Sequence, residues 1–253
     1  MAKIIAAVNQ KGGVGKTTTV VNLSSAVALL GHKVLMVDLD PQGNATSGVG
    51  IAKNGLAFSA YDVLIGTAKP EQVVLHTEFT NLDIIPTSMQ MAGAEIELVE
   101  IPRRENRLKA ALAALRDQYD YIFIDCPPSL GLLTLNALCA ADTLLVPIQC
   151  EFFALEGLAQ LMSTVRQVKR LYNPMLELEG VLLTMYDGRM NLTQQVVTEV
   201  KKFFPRKVFA TPVPRTVRLA EAPGFGQPIQ YYDKSSKGAA AYEQIARELI
   251  SHR

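Results

Sequence analysis

Glycine, lysine and threonine residues are concentrated in one short segment, which reads KGGVGKTT from Lys11 to Thr18. Glycines allow backbone N–H groups to close around phosphate oxygens, because no Cβ atom obstructs the approach. Lys16 and Thr17 end the segment as in the phosphate loop G-x-x-x-x-G-K-[ST], where the lysine reaches the β- and γ-phosphates and the hydroxyl ligates Mg²⁺. The segment therefore predicts a site for ATP with Mg²⁺, made of Lys11, Gly12, Gly13, Val14, Gly15, Lys16, Thr17 and Thr18.

The segment departs from the standard phosphate loop at two positions. Gln10 occupies the place of the leading glycine, and Lys11 is an additional lysine. A second cation near a triphosphate can stabilise charge in the transition state, as an arginine finger does. Taken alone, Lys11 fits this role and that of an ordinary exposed lysine equally well.

Three aspartates follow apolar runs that have the character of buried strands. Ligands bind at the carboxyl ends of parallel strands, so Asp38, Asp40 and Asp125 are expected near the phosphate loop. Alternation along an extended strand would place Asp38 and Asp40 on the same side, where one of them can orient or activate the attacking water. Asp125 has the position of the carboxylate that serves Mg²⁺ in P-loop proteins. Each aspartate alone could be a helix cap or turn residue, but the phosphate loop favours function.

Short apolar runs alternate with helical patterns along the chain, which explains how these residues can be brought together. Most runs are apolar on both faces, as a parallel sheet covered by helices requires. We predict one α/β domain over residues 1–253, a P-loop NTPase whose mostly parallel central sheet has helices on both faces. The stretch 52–78 is the least regular and is expected to be a surface excursion, and Arg103, Arg104 and Arg107 are expected on a solvated helix face. The predicted strands are 4–8, 34–37, 82–85, 121–124, 144–148 and 181–183.

The composition indicates a globular protein without a dominant charge. Hydrophobic residues make up 49% of the chain, and 25 basic and 24 acidic side chains give a net charge of +1. Whole-chain charge therefore predicts no partner, and a nucleic-acid site would have to be a local patch. The three cysteines form no C-x-x-C pair and are expected to be buried, reduced thiols. We expect no signal peptide, because a strand follows Met1, Ala2 and Lys3 at once, and no membrane span, because no apolar run reaches the roughly 18 residues that a span needs.

Longer motifs resemble the ParA/Soj chromosome-partitioning ATPases, within the ParA/MinD group that carries a deviant Walker A motif. KGGVGKTT is similar to that deviant motif, and the resemblance covers almost the whole chain with its motifs in the family's order. The other matching segments are DLDPQGNAT from Asp38, DCPPSLG from Asp125, EFFALEG from Glu151 and PRTVRLAEAP from Pro214.

The resemblance implies a role for individual residues of the nucleotide site. Lys11 corresponds to a signature lysine that crosses to the partner's ATP in a sandwich dimer, and Lys16 assists catalysis at the phosphates. Asp40 corresponds to the carboxylate that positions the hydrolytic water, and Asp125 to the Walker B aspartate. Thr17, Asp40 and Asp125 form the implied Mg²⁺ set, and the adenine is expected near Pro212 and Pro214.

The resemblance also implies the partners of the protein. ATP joins two protomers into a homodimer that binds double-stranded DNA through Arg189 and Arg218, and a ParB/Spo0J-type partner stimulates slow hydrolysis, which releases the DNA. The chain starts directly at its first strand, so we expect no DNA-binding extension and no sequence preference. The implied location is the cytoplasm, on the nucleoid. Residues 187–237 hold nine basic and four acidic side chains, an excess of five positive charges, although an ordinary solvated surface is the alternative.

Three other functions compete with this interpretation. A MinD-like membrane-cycling ATPase carries a basic amphipathic tail, whereas the last helical segment here has a polar face of mixed charge. An enzyme of the nitrogenase iron-protein type needs paired cysteines for a cluster between protomers, and Cys126 has no obvious second ligand. A binding module that has lost hydrolysis is disfavoured by the presence of Asp40 and Lys11.

Overall fold

The computed structural model describes residues 1–151 and 154–251, and these residues are arranged around a seven-stranded sheet. Its strands are β1 (Lys3–Ala7), β2 (Val34–Asp38), β3 (Leu75–His76), β4 (Leu82–Ile85), β5 (Tyr121–Asp125), β6 (Thr143–Gln149) and β7 (Glu177–Thr184). Their order in the sheet is β3-β4-β2-β5-β1-β6-β7. Only the β3–β4 pair among these strands is antiparallel. The predicted fold class, a mostly parallel α/β sheet, is confirmed.

Helices cover both faces of the sheet because neighbouring residues of each strand face opposite sides. Ile4 and Leu35 belong to one buried apolar cluster, and Ile5 and Met36 belong to the other. The helices are α1 (Lys16–Leu29), α2 (Asn44–Gly48), α3 (Ala60–Ile65), α4 (Pro70–Val73), α5 (Met91–Glu97), α6 (Arg107–Leu115), α7 (Leu132–Ala140), α8 (Ala154–Leu171), α9 (Asn191–Phe203), α10 (Val217–Glu221), α11 (Ile229–Tyr232) and α12 (Lys237–Ser251).

The stretch 52–78 is more regular than the sequence predicts. It contains α3, α4 and the edge strand β3, and Val63 and Leu64 of α3 are part of the core. Ser59 starts α3 because the Asp62 carboxylate accepts hydrogen bonds from its backbone N–H at 2.8 Å and from its hydroxyl at 3.2 Å. The expectation of a surface excursion is therefore wrong for α3, whose apolar residues are buried.

The expectation for the three arginines is wrong for Arg107. Its Nε and Nη2 atoms donate to the carbonyl oxygens of Leu64 and Ile65 at 2.8 and 3.2 Å, so it satisfies the last turn of α3. Such cationic partners of the final carbonyls are common at helix C-termini. Arg104 similarly donates to the Val99 carbonyl at 2.6 Å. Of these three arginines, Arg103 is exposed and has no side-chain hydrogen bond to a described residue.

Burial keeps the cysteines protonated. All three are buried free thiols, as predicted. Burial raises the pKa of Cys126 well above its usual value, that of Cys139 to about 12 and that of Cys150 to about 11. Neutral buried thiols are poor metal ligands. None of the helices in the described ranges is long and apolar enough to cross a bilayer.

Candidate nucleotide site

Residues 11–15 belong to the loop between β1 and α1, at the carboxyl ends of the strands, and residues 16–18 form the first turn of α1. Gly13 and Gly15 adopt φ angles of +74° and +84°, a left-handed conformation that residues with a Cβ atom rarely adopt. Helix α1 then begins at Lys16, and the first N–H groups of a helix form a natural anion site. A cavity of about 310 Å³ lies here, lined by Gly12, Gly13, Gly15, Lys16, Thr17, Thr18, Asp40, Gln42, Asn44, Pro128 and Met185.

Lys16 brings a buried positive charge to this cavity. Its side chain is 6% exposed, and its Nζ donates to the Lys11 carbonyl at 3.3 Å. Burial lowers the pKa of Lys16, while Asp125, Cys126 and Asp40 act in the opposite direction. An anionic ligand would compensate for this desolvation, which is the arrangement that binding of a triphosphate requires.

Asp38 and Asp40, which the sequence does not distinguish, have different environments in the structure. Strand β2 ends at Asp38, so the condition for alternation to place Asp38 and Asp40 on the same side, a strand that extends to Asp40, is not met. Asp38 is fully buried, and burial raises its pKa to about 6. Both Asp38 oxygens accept hydrogen bonds from the protein, whereas Asp40 lines the cavity. Asp40 is therefore the carboxylate of the pair that can reach a ligand.

Asp125 is a buried carboxylate that the protein leaves poorly compensated. It is fully buried, and neither of its oxygens makes a hydrogen bond of good geometry with a described residue, although the Thr17 side chain lies close enough to lower its pKa. Burial, and next the charge of Asp38, raise the pKa of Asp125 well above its ordinary value, while Thr17 and Lys16 act in the opposite direction. Buried polar atoms without partners are rare and costly, so these oxygens are suited to a metal ion or its water shell.

The residues present fit Mg²⁺ bound together with phosphates, rather than a site made by the protein alone. Within the described residues, no group of three His, Cys, Asp or Glu side chains could hold a metal. Mg²⁺ commonly uses one or two carboxylates, several waters and the phosphates of its substrate. The Mg²⁺ residues expected from the sequence are Thr17, Asp40 and Asp125. Their side-chain oxygens are compatible with that arrangement.

A second cavity of about 250 Å³ adjoins the first and shares Gly15, Thr18 and Met185 with it. Of the two prolines expected near the adenine, Pro214 lines this cavity, whereas Pro212 is not one of its lining residues. Much of its wall is apolar, which suits a nucleotide base. The other lining residues are Thr184, Val213, Arg215, Thr216, Leu219, Ala220 and Tyr242.

Sequence reasoning misses Met185, which lines both cavities. It directly follows β7 and has a φ angle of +48°, a conformation that is uncommon outside glycine. Its position after a parallel strand is the available signal, because such strand ends form ligand sites.

Lys11 does not line the cavity of its own chain. Its Nζ instead pairs with a carboxylate oxygen of Glu151 in the same chain, and both side chains are nearly half exposed. Glu151 begins the segment EFFALEG, of which Phe152 and Phe153 lie outside the described residues. Lys11 is therefore a partly exposed lysine that lies beside the glycine loop and outside the cavity.

The two arginines proposed for DNA are exposed and line neither cavity, although Arg218 is on α10, whose Leu219 and Ala220 line the second cavity. Arg189 pairs with Asp187 through two bonds of 2.9 and 2.7 Å. Arg218 contacts Glu221 at 3.2 Å and Asp233 at 3.4 Å. The excess positive charge of residues 187–237 is therefore carried mainly by other side chains, namely Lys201, Arg206, Lys207, Arg215, Lys234 and Lys237.

Comparisons with known proteins agree with this geometry. Residues 2–178 match the family described as AAA domain. The chain is 56% identical to the sporulation initiation inhibitor protein Soj of Bacillus subtilis, over 100% of both chains. It is 52% identical to the chromosome partitioning protein ParA of Myxococcus xanthus, over 99% of this chain and 88% of that protein.

A solved structure extends the agreement to the fold. Cobyrinic acid a,c-diamide synthase from Mycobacterium smegmatis, with bound ADP and magnesium, has a TM-score of 0.88 and 40% sequence identity, covering 100% of this chain and 95% of that chain. Its name refers to a metabolic enzyme, but the chain has higher sequence identity to Soj and ParA.

Proposed function

Because this chain belongs to the Soj/ParA family of chromosome-partitioning ATPases, we propose that it binds ATP with Mg²⁺, forms an ATP-dependent homodimer and binds DNA without sequence preference. A ParB-type partner then stimulates hydrolysis, and the protein cycles on the nucleoid in the cytoplasm. The observation that carries the proposal is the buried pair of Lys16 and Asp125 beside the glycine loop. Burial shifts the pKa of each towards its neutral form, and a bound triphosphate with Mg²⁺ would favour the charged forms.

The hydrolytic step follows from the residues around the cavity. Lys16 and the backbone of the glycine loop hold the phosphates, while Thr17 and Asp125 provide oxygens on the metal side. Mg²⁺, when bound, neutralises charge on the β- and γ-phosphate oxygens. Asp40 orients the attacking water by accepting a hydrogen bond from it. Lys11 of a second protomer adds positive charge to the transferred phosphate.

Replacing Lys11 with alanine should leave ATP binding intact and prevent the stable dimer, because the residue acts on the partner's nucleotide. Size-exclusion chromatography with ATP, beside titration with a fluorescent ATP analogue, measures both properties. Lys202→Ala is a matched control, since Lys202 is also exposed and paired with a glutamate of its own chain. A normal ATP-dependent dimer of Lys11→Ala would remove Lys11 from the proposed interface.

DNA binding is proposed to depend on the dimer. Each phosphate neutralised adds about 0.9 to the slope of log affinity against log salt. Two protomers joined by ATP double the number of contacts to DNA phosphates, which raises the affinity for DNA. Fluorescence anisotropy on two unrelated duplexes with ATP, with ADP and without nucleotide tests this switch. Equal binding with ADP and ATP would contradict it.

Changing Arg218 to glutamate should abolish DNA binding while the ATP-dependent dimer remains, since arginine forms paired bonds with phosphate and glutamate repels it. The milder Arg189→Ala should lower the salt slope by roughly one or two units, because each dimer loses two copies. Arg247→Glu is the matched control: its arginine has similar exposure and a glutamate partner, but lies on α12. If both variants bind DNA as the wild type does, the proposed surface is misplaced.

The packing of α12 supports partitioning over a MinD-like membrane cycle. Tyr242, Ile245 and Leu249 on this helix are buried within the protein. On its polar face Arg247 pairs with Glu243, and Glu248 accepts from the Ala210 N–H. The apolar face is thus already covered by protein. Co-sedimentation with anionic vesicles is expected to leave the protein in the supernatant.

A further inference from the structure

Asp38 is the centre of a buried hydrogen-bond network that joins three segments behind the cavity. Its Oδ1 accepts from the backbone N–H of Asp40 at 3.1 Å. Its Oδ2 accepts from the N–H of Thr46 at 2.8 Å and from the Thr46 hydroxyl at 2.7 Å. The Asp38 carboxylate therefore bonds both to Asp40, at the start of the turn, and to Thr46, in helix α2 after the turn.

Thr46 extends this network to a third segment. Its hydroxyl oxygen accepts a hydrogen bond from the backbone N–H of Thr87 at 3.0 Å while it donates to Asp38. Asp38, Thr46 and Thr87 are all fully buried. Since water cannot replace a lost partner there, removal of the Thr46 hydroxyl leaves two buried groups with one bond fewer.

The segment between the two anchored ends carries Asp40. One Asp40 carboxylate oxygen accepts from the Gln42 N–H at 3.0 Å, and the Asp40 carbonyl accepts from the Gly43 N–H at 2.9 Å. Gln42 and Asn44 line the cavity beside Asp40. The turn therefore has internal bonds of its own, but its position relative to the sheet depends on Asp38 and Thr46.

We propose that Asp38, Thr46 and Thr87 form a clamp that fixes Asp40 at the cavity, so that Thr46 is a positioning residue for hydrolysis. This inference rests on the proposed ATPase function. Asp38 contributes as the acceptor at the centre of the clamp, not as the residue that meets water. The clamp consists entirely of protein groups, so Asp40 is preorganised and nucleotide binding need not supply the free energy for its placement.

Thr46→Val tests the clamp because it removes the hydroxyl and nearly conserves the volume. We expect the single-turnover rate of ATP hydrolysis to fall about 10- to 100-fold, as is typical when a supporting residue is lost. The Kd for a fluorescent ATP analogue should change less than about threefold, because Lys16 and the glycine loop are untouched. Thr46→Ser, which keeps the hydroxyl, should recover most of the rate.

Thr193→Val is the matched control, since Thr193 is a buried threonine on α9, away from the cavity. The hydrolysis rate of Thr193→Val should equal that of the wild type, even if the substitution changes the melting temperature. The clamp is overturned if Thr46→Val hydrolyses ATP as the wild type does, or if serine restores nothing. Absence of hydrolysis in the wild type would instead overturn the proposed function, and the clamp with it.

Amide hydrogen exchange of the wild-type protein gives an independent measurement that does not depend on a variant folding. Without nucleotide, the N–H groups of Asp40, Thr46 and Thr87 should exchange far more slowly than exposed loop amides, because each donates within the clamp. Fast exchange of these three amides would overturn the clamp.

Discussion

Replacing Lys16 with alanine is expected to abolish tight binding of ATP. The ammonium group is nearly buried, and loss of one partner from a buried charge pair typically costs about 2 to 5 kcal/mol. We therefore expect the Kd to rise about 30-fold or more. The substitution also leaves Asp40 and Asp125 without their nearby cation, so both carboxylates would repel the phosphates. Titration with a fluorescent ATP analogue measures the effect.

Lys33→Ala is a suitable control for Lys16→Ala. Lys33 is exposed and directly precedes β2. It lies at the amino ends of the strands, whereas the glycine loop lies at their carboxyl ends. This variant removes the same charge without changing the cavity, so its Kd should match that of the wild type. An unchanged affinity in Lys16→Ala would mean that the glycine loop is not the nucleotide site.

Replacing Asp40 with alanine should stop hydrolysis and leave ATP binding intact. General-base or water-orienting groups typically contribute about 10²- to 10⁴-fold to a rate, so we expect a loss of at least about 100-fold. Without hydrolysis, the ATP-bound dimer should accumulate and remain visible in size-exclusion chromatography. Phosphate release over time, measured beside dimer formation, checks both expectations.

Asp117→Ala provides the comparison for Asp40→Ala, because Asp117 is strongly exposed and its ion pair is with the amino terminus of the chain. Its hydrolysis rate should equal that of the wild type. Hydrolysis by Asp40→Ala at the wild-type rate would show that another group positions the water. Asp38 would be a poor substitute, since both of its oxygens already accept hydrogen bonds from the protein.

Much of the fold can be predicted because its signals are local. The six predicted strands are all present, since each is an apolar run that needs no information from elsewhere in the chain. The short strand β3 escapes prediction because two residues carry no periodicity, and it pairs antiparallel at the edge. The environment of Arg107 is not predictable either, because its partners, Leu64 and Ile65, are remote in sequence.

The site is predictable in its residue types and less so in its geometry. The glycine loop follows a predicted strand, and Asp125 lies at the end of another. Their positions in the fold therefore agree with the sequence pattern. The different environments of Asp38 and Asp40 depend on where β2 ends and on contacts from Thr46, which no periodicity reveals. The ion pair between Lys11 and Glu151 likewise joins residues whose proximity only the folded sheet determines.

The central position of β1 has a consequence for how the protein is synthesised. Residues Lys3 and Ile5 of β1 pair with Tyr121 of β5 and Thr143 of β6, so β1 is synthesised before its partners, which lie far along the chain. Helix α1 is in turn covered by α12, where Tyr242 bonds to Thr19. Such nonlocal contacts slow folding, and the helix that follows the phosphate loop has its full set of contacts only after α12 has been synthesised.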